Sequence, residues 1–344
     1  MKLRFIGDLH LDKRPSHSTK ASAQRFTDLQ MATIEKAMQV DDDTRIIQMG
    51  DVFDTFEVNS STFVKALALS ENFAFIVGGN HDYSNDSSKT SALENLSGQV
   101  GQDIVVRNGW VSEPFGPRTT LYVLPYYATQ ALFEAALKEL WVEVNKFPAH
   151  TNILCLHVNY NNPRAASDIE NNLTADLAKK LLETSFDYII SGHEHNGSSH
   201  FHNSLLMVGS VLPHSFAEME TKRCLEFETE TGKMTSIDLW RPAGHYLQTD
   251  ISGFLSLPDT TELQFIEVTG EILPAQLREL AAKMSKLLGG DHVISIKNST
   301  VTPVAEGLAG SGSAKRGSWL DNVRSQLSDE ELELFNALYN EVSE

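Results

Sequence analysis

Five short segments of this 344-residue sequence end in side chains that bind metal ions well, and four of the five follow an apolar run typical of a β-strand. The segments are Asp8-Leu9-His10, Asp51, Asn80-His81-Asp82, His157 and His193-Glu194-His195. In an open α/β sheet, ligand sites form beyond the carboxyl ends of the strands, so residues far apart in the chain can meet there. This pattern is typical of a metal-dependent hydrolase.

The candidate ligands combine carboxylate, amide and imidazole groups and include no thiolate. They are Asp8, His10, Asp51, Asn80, His157, His193 and His195. Mixed nitrogen and oxygen ligation suits Mn²⁺, Fe²⁺ or Zn²⁺. Seven ligands are enough for two ions with open positions, and the two oxygens of Asp51 can bridge them. Two such ions, about 3.5–4 Å apart, activate water and stabilise both the attacking and leaving oxygens of a phosphoryl displacement.

Two further residues of the third segment have predicted catalytic roles. His81 is placed to protonate a leaving alkoxide, and Asp82 is available to orient the His81 ring. The spacing of two within Asp8-Leu9-His10 suggests that both ligand side chains point the same way, as they do in a strand. Each motif alone also has a purely structural explanation, such as a turn at Gly79-Asn80. Five motifs in this order favour the metal centre.

Composition limits where the protein works and what it binds. Two cysteines are too few for a disulfide framework, and no apolar run approaches the roughly 20 residues that span a bilayer. We therefore expect a cytoplasmic protein with no signal peptide and no membrane partner. The net charge of −18 opposes diffuse binding to a polyanion. A nucleic-acid substrate requires local charge, metals or a partner to offset this repulsion.

Positive charge is concentrated just after the first motif. Residues 13–27 contain Lys13, Arg14, Lys20 and Arg25 and no acidic residue. One interpretation is a solvated surface loop, and the other is a set of DNA phosphate contacts at the lip of the site, made by Lys13, Arg14 and Lys20.

Hydrophobic periodicity predicts alternating strands and helices as far as residue 195 and mainly strands after residue 200. The predicted helices are 21–39, 60–71, 88–96, 129–145 and 174–183, and segments 104–106 and 121–124 form a hairpin-like pair. This alternation indicates a layered α/β core. The predicted organisation is an α/β domain at 1–244, a small α+β capping domain at 245–300, a flexible linker at 301–317 and a helical tail at 318–344.

The tail is predicted to form two short amphipathic helices, the second beginning at a Ser328-x-x-Glu331 capping box. Its apolar face comprises Trp319, Leu320, Val323, Leu327, Leu332, Phe335 and Leu338. The tail either packs on its own domain or lies in a groove of a partner protein.

The motifs, read with their glycines, resemble in order those of the calcineurin-like metallophosphoesterases over residues 1 to about 240. They are Gly7-Asp8-Leu9-His10, Gly50-Asp51-Val52-Phe53-Asp54, Gly79-Asn80-His81-Asp82, His157 and Gly192-His193-Glu194-His195. The resemblance implies a layered αββα sandwich with His81 as the catalytic histidine. It also implies two metal sites, one of Asp8, His10, Asp51 and His195 and the other of Asp51, Asn80, His157 and His193. Thr55-Phe56 and Asp82 differ from the residues that protein phosphatases carry at these positions.

Within that superfamily the layout is most similar to the SbcD-type DNA repair and recombination nucleases, including compact bacteriophage members. The similar features are Gly209 to Pro213, then Glu218 or Glu220, and Lys222-Arg223. The resemblance implies a Mn²⁺-dependent 3′-5′ exonuclease on duplex DNA and endonuclease on single strands. It also implies a homodimer within a heterotetramer, with the tail bound to an SbcC-type coiled-coil ATPase. The alternatives are a small-molecule phosphodiesterase or phosphatase and a catalytically idle scaffold.

Overall fold

Helices and strands alternate through the first two thirds of the computed structural model. It describes residues 1–16, 18–84, 89–101, 104–144, 150–162, 170–272, 276–296 and 300–301. The strands are β1 (Lys2–Ile6), β2 (Thr44–Gln48), β3 (Phe73–Val77), β4 (Val105–Val106), β5 (Val111–Pro114), β6 (Thr119–Val123), β7 (Thr151–His157), β8 (Asn159–Tyr160), β9 (Asn172–Leu173), β10 (Tyr188–Gly192), β11 (Ser198–His200), β12 (Leu205–Met207), β13 (Lys222–Glu228), β14 (Lys233–Trp240), β15 (Tyr246–Asp250), β16 (Phe265–Thr269), β17 (Glu271–Ile272), β18 (Val293–Ile296) and β19 (Thr300–Val301). The helices are α1 (Lys20–Ala37), α2 (Ser60–Ser70), α3 (Ala92–Val100), α4 (Gln130–Glu143), α5 (Ala175–Thr184), α6 (Ile251–Ser256) and α7 (Leu277–Gly289). None of the described helices is long and apolar enough to cross a bilayer.

The described chain divides into two compact units. The first contains Met1–Lys13 and Gln30–Arg241, and the second contains Arg14–Leu29 and the described residues from Pro242 onward. Helix α1 therefore contributes residues to both units. Assignment of its first half to the second unit differs from the predicted organisation, which placed all of residues 1–244 together.

Two six-stranded sheets form the first unit. One has the order β14-β13-β1-β2-β3-β4, and the other has the order β11-β12-β10-β7-β6-β5. Strands β1 to β4 are parallel to one another, as are β6, β7, β10 and β12. Parallel strands are buried on both faces, which explains why they appear in the sequence as short continuous apolar runs. Within each sheet, the carboxyl ends of the parallel strands lie at one edge.

Three apolar clusters give this unit four layers. The central cluster lies between the sheets and includes Phe5, Ile47 and Val77 from one sheet and Ile153 and Ile190 from the other. A second cluster packs α2, α3 and the end of α1 on the first sheet, and a third packs α4 and α5 on the second sheet. The predicted αββα arrangement is confirmed.

Two local predictions differ from the structure. The helix predicted at 88–96 begins instead at Ala92, because the Ser91 hydroxyl caps the Glu94 N–H while the Glu94 carboxylate accepts from the Ser91 N–H. The hairpin-like pair is wrong, since β4 pairs with β3 in the first sheet while β6 pairs with β5 and β7 in the second. Most of β5 is exposed, so it lacks the apolar signal of a strand.

The second unit contains a parallel sheet with the order β15-β16-β18, covered by α6 and α7 through an apolar cluster. The Phe26 ring of α1 lies 5.8 Å from that of Phe265, and the Arg25 guanidinium donates hydrogen bonds to the carbonyl oxygens of Thr261 and Gly290. Arg25 is therefore a structural residue of this unit. The sequence predicted two strands and one helix for this part of the chain, and the structure adds strand β15 and helix α6 to them.

The tail at 318–344, with all its predicted partner-binding residues, lies outside the described residues. All of the predicted linker except residue 301 lies outside them too.

We predict that Leu137→Ala destabilises the first unit by about 2–5 kcal/mol, the usual cost of an unfilled cavity after a buried leucine is truncated. Leu137 is 2% exposed on α4, whereas Val142 of the same helix is 76% exposed. Val142→Ala is the matched control and should change the free energy of unfolding by no more than about 0.5 kcal/mol. Denaturant unfolding of both variants measures the difference, and equal stabilities would contradict the packing described for α4.

Candidate metal centre

The predicted ligands of the first unit converge where its parallel strands end. β1 ends two residues before Asp8, β7 ends at His157 and β10 ends at Gly192. His10, Asp51 and His193 have φ angles of 45°, 52° and 77°, a left-handed backbone that side-chain-bearing residues rarely adopt. The ligands therefore come together through sharp turns after the strands, not through the strand alternation that the spacing of two suggested. Such strain is typical of functional sites.

Glycines of the motifs allow this close approach. A Cβ on Gly50 would lie 2.0 Å from His157 Nδ1, and one on Gly79 would lie 2.2 Å from Asp51 Oδ1. Gly50 also has a φ of 105°, which favours glycine. Any larger residue at Gly50 or Gly79 would therefore collide with a predicted ligand from another motif.

One cluster is built around His10 and His195. Their Nε2 atoms are 3.0 Å apart. Asp51 Oδ2 lies 3.6 Å from His10 Nε2, and Asp8 Oδ2 lies 3.7 Å from His195 Nε2. Asp8 is also held in place, because its two oxygens accept the backbone N–H of His193 at 3.1 and 3.0 Å.

A second cluster shares Asp51 with the first. His157 Nε2 lies 3.2 Å from Asp51 Oδ2. Asn80 Oδ1 lies 3.0 Å from His157 Nε2 and 2.8 Å from His193 Nδ1. The seven predicted ligands therefore form two adjoining groups, and Asp51 is common to both.

Acceptors behind two of the imidazoles fix which nitrogen faces the centre. His157 Nδ1 is 2.8 Å from the Met49 carbonyl oxygen, and His195 Nδ1 is 3.2 Å from Glu218 Oε1. A proton on each of these Nδ1 atoms leaves the lone pair of Nε2 directed inward. Ligating histidines are usually oriented by such contacts. His10 Nδ1 lies 3.3 Å from Asp54 Oδ1 without a hydrogen bond between them.

This donor set fits divalent cations. The Nε2 atoms of His10 and His195 lie 3.0 Å apart, so a cation that takes the lone pairs of both would replace the hydrogen bond between them. Carboxylates, imidazoles and one amide oxygen are also the ligands that such ions take. The residues present thus suit the two metal ions that the motifs predict.

The ionisation of the buried groups shows how strongly the site attracts positive charge. Burial acts to lower the pKa of His157, but Asp51 and Asp8 outweigh it and raise that pKa to about 9. Burial also acts against the charge of Asp51, yet His157 and His10 hold its pKa well below the usual range. Burial and the neighbouring His157 lower the pKa of His193 to about 3, so its ring is a neutral ligand. The field that holds a proton on His157 also favours a metal cation.

The two predicted catalytic residues have different surroundings, and Asp82 does not make the contact expected of it. His81 is exposed, its N–H donates to Asp51 Oδ1 at 2.9 Å, and its Nδ1 lies 2.7 Å from the Asp54 carbonyl oxygen. Asp82 is buried and accepts hydrogen bonds from the backbone N–H groups of Val52, Phe53 and Gly79. Asp82 therefore fixes the loop that carries Asp51, and the ring contact predicted for it is made by the Asp54 carbonyl.

A buried ion pair supports His195 from behind. Lys222 is 2% exposed, and its ammonium donates to Glu218 Oε2 at 2.9 Å, Ser210 Oγ at 3.0 Å and the His195 carbonyl oxygen at 2.8 Å. Glu220 is exposed, so the structure resolves the choice between the two glutamates. No local motif distinguishes them, because the distinction arises from tertiary burial.

The predicted DNA-contacting residues are divided between the two units. The Lys13 ammonium pairs with Asp54 Oδ1 at 3.0 Å in the first unit. Arg14 and Lys20 are exposed residues of the second unit. Asp54, whose backbone and side chain contact His81, His10 and Lys13, was not predicted to be a site residue.

Comparison with known proteins identifies one family. Residues 1–197 match the family model described as calcineurin-like phosphoesterase. No curated protein sequence matches the chain significantly. A solved metallophosphoesterase from Sphaerobacter thermophilus is 14% identical, with 71% of this chain and 90% of that chain covered and a TM-score of 0.26. A TM-score this low supports no conclusion about function.

We predict that Glu218→Gln destabilises the metal-free protein by about 3–5 kcal/mol, because it leaves the buried Lys222 ammonium without its counterion. Glu220→Gln makes the same chemical change at an exposed position two residues before β13 and should be nearly neutral. Denaturant unfolding in the presence of a chelator measures both changes. Equal effects of the two substitutions would show that the pair does not support the site.

Proposed function

The chain belongs to the calcineurin-like phosphoesterase family, which hydrolyses phosphoesters with divalent metals, and we propose that it is a two-metal DNA nuclease. The observation that carries the proposal is the pair of adjoining ligand clusters joined by Asp51. A shared carboxylate between two groups of nitrogen and oxygen donors suits a dinuclear centre.

The residues that would hold the ions divide into two sets. Asp8, His10, Asp51 and His195 form one set; Asp51, Asn80, His157 and His193 form the other. When bound, two divalent cations supply an activated water and neutralise charge on the phosphoryl oxygens. We propose Mn²⁺, in line with the SbcD-type layout and the mixed ligands.

His81 is the proposed general acid of this reaction. Its backbone N–H is fixed by Asp51, and its Nδ1 lies against the Asp54 carbonyl oxygen. An imidazolium that donates through Nδ1 to this carbonyl presents its Nε2 proton to the leaving oxygen. Because His81 is exposed at the surface of the cluster, a polymeric substrate has access to it.

DNA as the substrate is supported by the sequence layout and by the local distribution of charge. Arg14 and Lys20 are exposed and lie in a stretch without acidic residues. A small-molecule phosphodiesterase needs neither this stretch nor the capping and tail segments. An idle scaffold gains nothing from buried carboxylates and imidazoles, which are costly without a ligand.

A cleavage assay tests the proposal directly. Purified protein with Mn²⁺ is incubated with labelled duplex, hairpin and single-stranded DNA, and separately with a chromogenic phosphodiester. We expect nucleotides released from the 3′ ends of duplex DNA and internal cuts in single strands. Hydrolysis of the chromogenic ester without DNA cleavage would support the small-molecule phosphodiesterase. Bound metals without hydrolysis of any substrate would support the scaffold.

We predict that Asp51→Asn loses both ions and nearly all hydrolysis, because the carboxylate shared by the two clusters offsets the mutual repulsion of the cations. Elemental analysis after dialysis measures the bound metal, and the same DNA substrates measure activity. Asp42→Asn, at an exposed position, is the matched control and should retain both. Two bound ions with normal turnover in Asp51→Asn would refute the bridging role.

We predict that His81→Gln keeps both ions but slows DNA cleavage by about 10²–10⁴, the usual contribution of general acid–base catalysis. The defect should shrink on a substrate whose leaving group is p-nitrophenolate, because that anion departs without a proton. An equal defect on both substrates would count against proton donation by His81. Loss of metal in His81→Gln would indicate that His81 is a metal ligand.

The C-terminal tail is the proposed binding segment for an SbcC-type coiled-coil ATPase, within a heterotetramer that contains two copies of this chain. The apolar side chains from Trp319 to Leu338 exceed what two short helices can bury on each other. Helices of this length are marginally stable alone, so a groove on a partner would stabilise them.

We predict that Leu332→Asp with Phe335→Asp abolishes stable association with the ATPase and ATP-dependent processing of duplex ends, because it places charges on the docking face. Asn336→Asp with Asn340→Asp adds the same charge to the polar face of that helix and should bind normally. Both variants should cleave the chromogenic ester at the original rate. A loss of thermal stability in the first variant alone would instead place the tail on the protein's own domain.

A further inference from the structure

His214 lies beside the proposed metal ligands, although neither the motifs nor the proposed reaction assigns it a role. Its ring centroid is 4.5 Å from that of His10 and 4.7 Å from that of His195. One ligand atom from each of these three histidines lies within 4.8 Å of the other two. His214 therefore adjoins the metal site but is not part of the ligand set predicted from sequence.

Both ring nitrogens of His214 are buried and have no hydrogen-bond partner in the part of the chain that the structure describes. Leaving a buried polar atom unpaired costs about 1–3 kcal/mol, so native structures rarely keep two on one ring. The proposed ligands His157 and His195 differ in this respect, since each has an acceptor behind its Nδ1. A molecule bound beside the metal site could supply the missing partner of His214.

The charged groups that act on His214 indicate the nature of that molecule. They are His10, His195, Lys13 and Lys222, and no carboxylate is among them. The two lysines are paired, Lys13 with Asp54 and Lys222 with Glu218, so the positive charge left beside His214 is that of the metal ions that His10 and His195 would hold. An unused N–H donor next to such ions is complementary to an oxygen of an anion bound to them.

We propose that His214 is a substrate-binding residue that donates one ring N–H to a non-bridging oxygen of the phosphoryl group bound beside His10 and His195. This inference rests on the proposed phosphoester hydrolysis and identifies a residue that holds the substrate for it. A neutral imidazole has one N–H donor, so the role requires no change in the charge of His214.

A role as an additional metal ligand fits the geometry less well. His214 lacks the backing acceptor that orients a ligating imidazole. It would also add a fifth protein group to the set of Asp8, His10, Asp51 and His195. A catalytic site keeps a coordination position open for water or substrate.

The test compares His214→Phe, which retains a ring but removes the N–H, with His214→Gln, which retains an N–H donor. Calorimetric titration of Mn²⁺-loaded protein with inorganic phosphate measures the dissociation constant. We expect His214→Phe to weaken phosphate binding by about 10–100-fold, the worth of a hydrogen bond to a charged group. His214→Gln should recover most of the affinity. Both variants should keep two ions, and KM for a chromogenic phosphodiester should rise more than kcat falls.

His150→Gln is the matched control, because His150 precedes β7 at the end opposite His157 and contacts Thr120. Unchanged phosphate affinity and KM in His214→Phe would make His214 a packing residue and overturn the proposal, as would the loss of an ion. If His214→Phe does not fold, the proposal can be tested on the wild-type protein loaded with Zn²⁺, by NMR. Phosphate should then shift the imidazole ¹⁵N signals of His214, and unmoved signals would overturn the proposal.

These measurements separate the inference from the proposed function. Wild-type protein that binds metal and phosphate but leaves DNA intact would contradict the nuclease alone. Wild-type protein that cleaves DNA, with phosphate affinity independent of His214, would contradict the inference alone.

Discussion

The position of the Asp51 carboxylate is the constraint on which the centre depends. Asp51 is 1% exposed, has a φ of 52° and lies within 3.2 Å of His157 Nε2 and 3.6 Å of His10 Nε2. An ionised carboxylate buried this deeply is stable only with nearby positive charge or hydrogen bonds. The imidazoles, the His81 N–H and the fixed loop can therefore be understood as one arrangement built to keep this anion where two cations can share it.

A second set of groups makes that arrangement rigid. Asp82 binds three backbone N–H groups around the Asp51 loop, and Glu218 with Lys222 holds His195 from behind. Each of these groups restricts a residue that would bind metal. Precise placement matters because ligands bind a metal only over a narrow range of distances. Some buried polar side chains of this chain therefore serve to orient the metal ligands.

The sequence alone predicts the layered fold and the set of ligands, because both depend on local signals. Apolar runs mark buried parallel strands, and the motifs follow them directly. The supporting residues are not predictable in this way. Whether Glu218 or Glu220 is the partner of Lys222 depends on burial, and the role of Asp82 depends in part on the N–H groups of Val52 and Phe53, which are distant in sequence. The error at residues 104–106 has the same origin, since strand pairing is a tertiary property.

A chain with a negative net charge that acts on a phosphoester needs positive charge at the site itself. At physiological ionic strength, exposed charges more than about 8 Å apart are largely screened. Within the first unit, Lys222 acts on His214 from a buried position, where screening is weak, and Lys13 acts on it from a partly exposed position. The net charge of −18 therefore limits the rate of encounter with a polyanion, while the local groups govern whether a phosphoryl group is held. A partner that supplies positive charge would raise the rate of encounter, whereas the groups of the site would hold the phosphoryl group during hydrolysis.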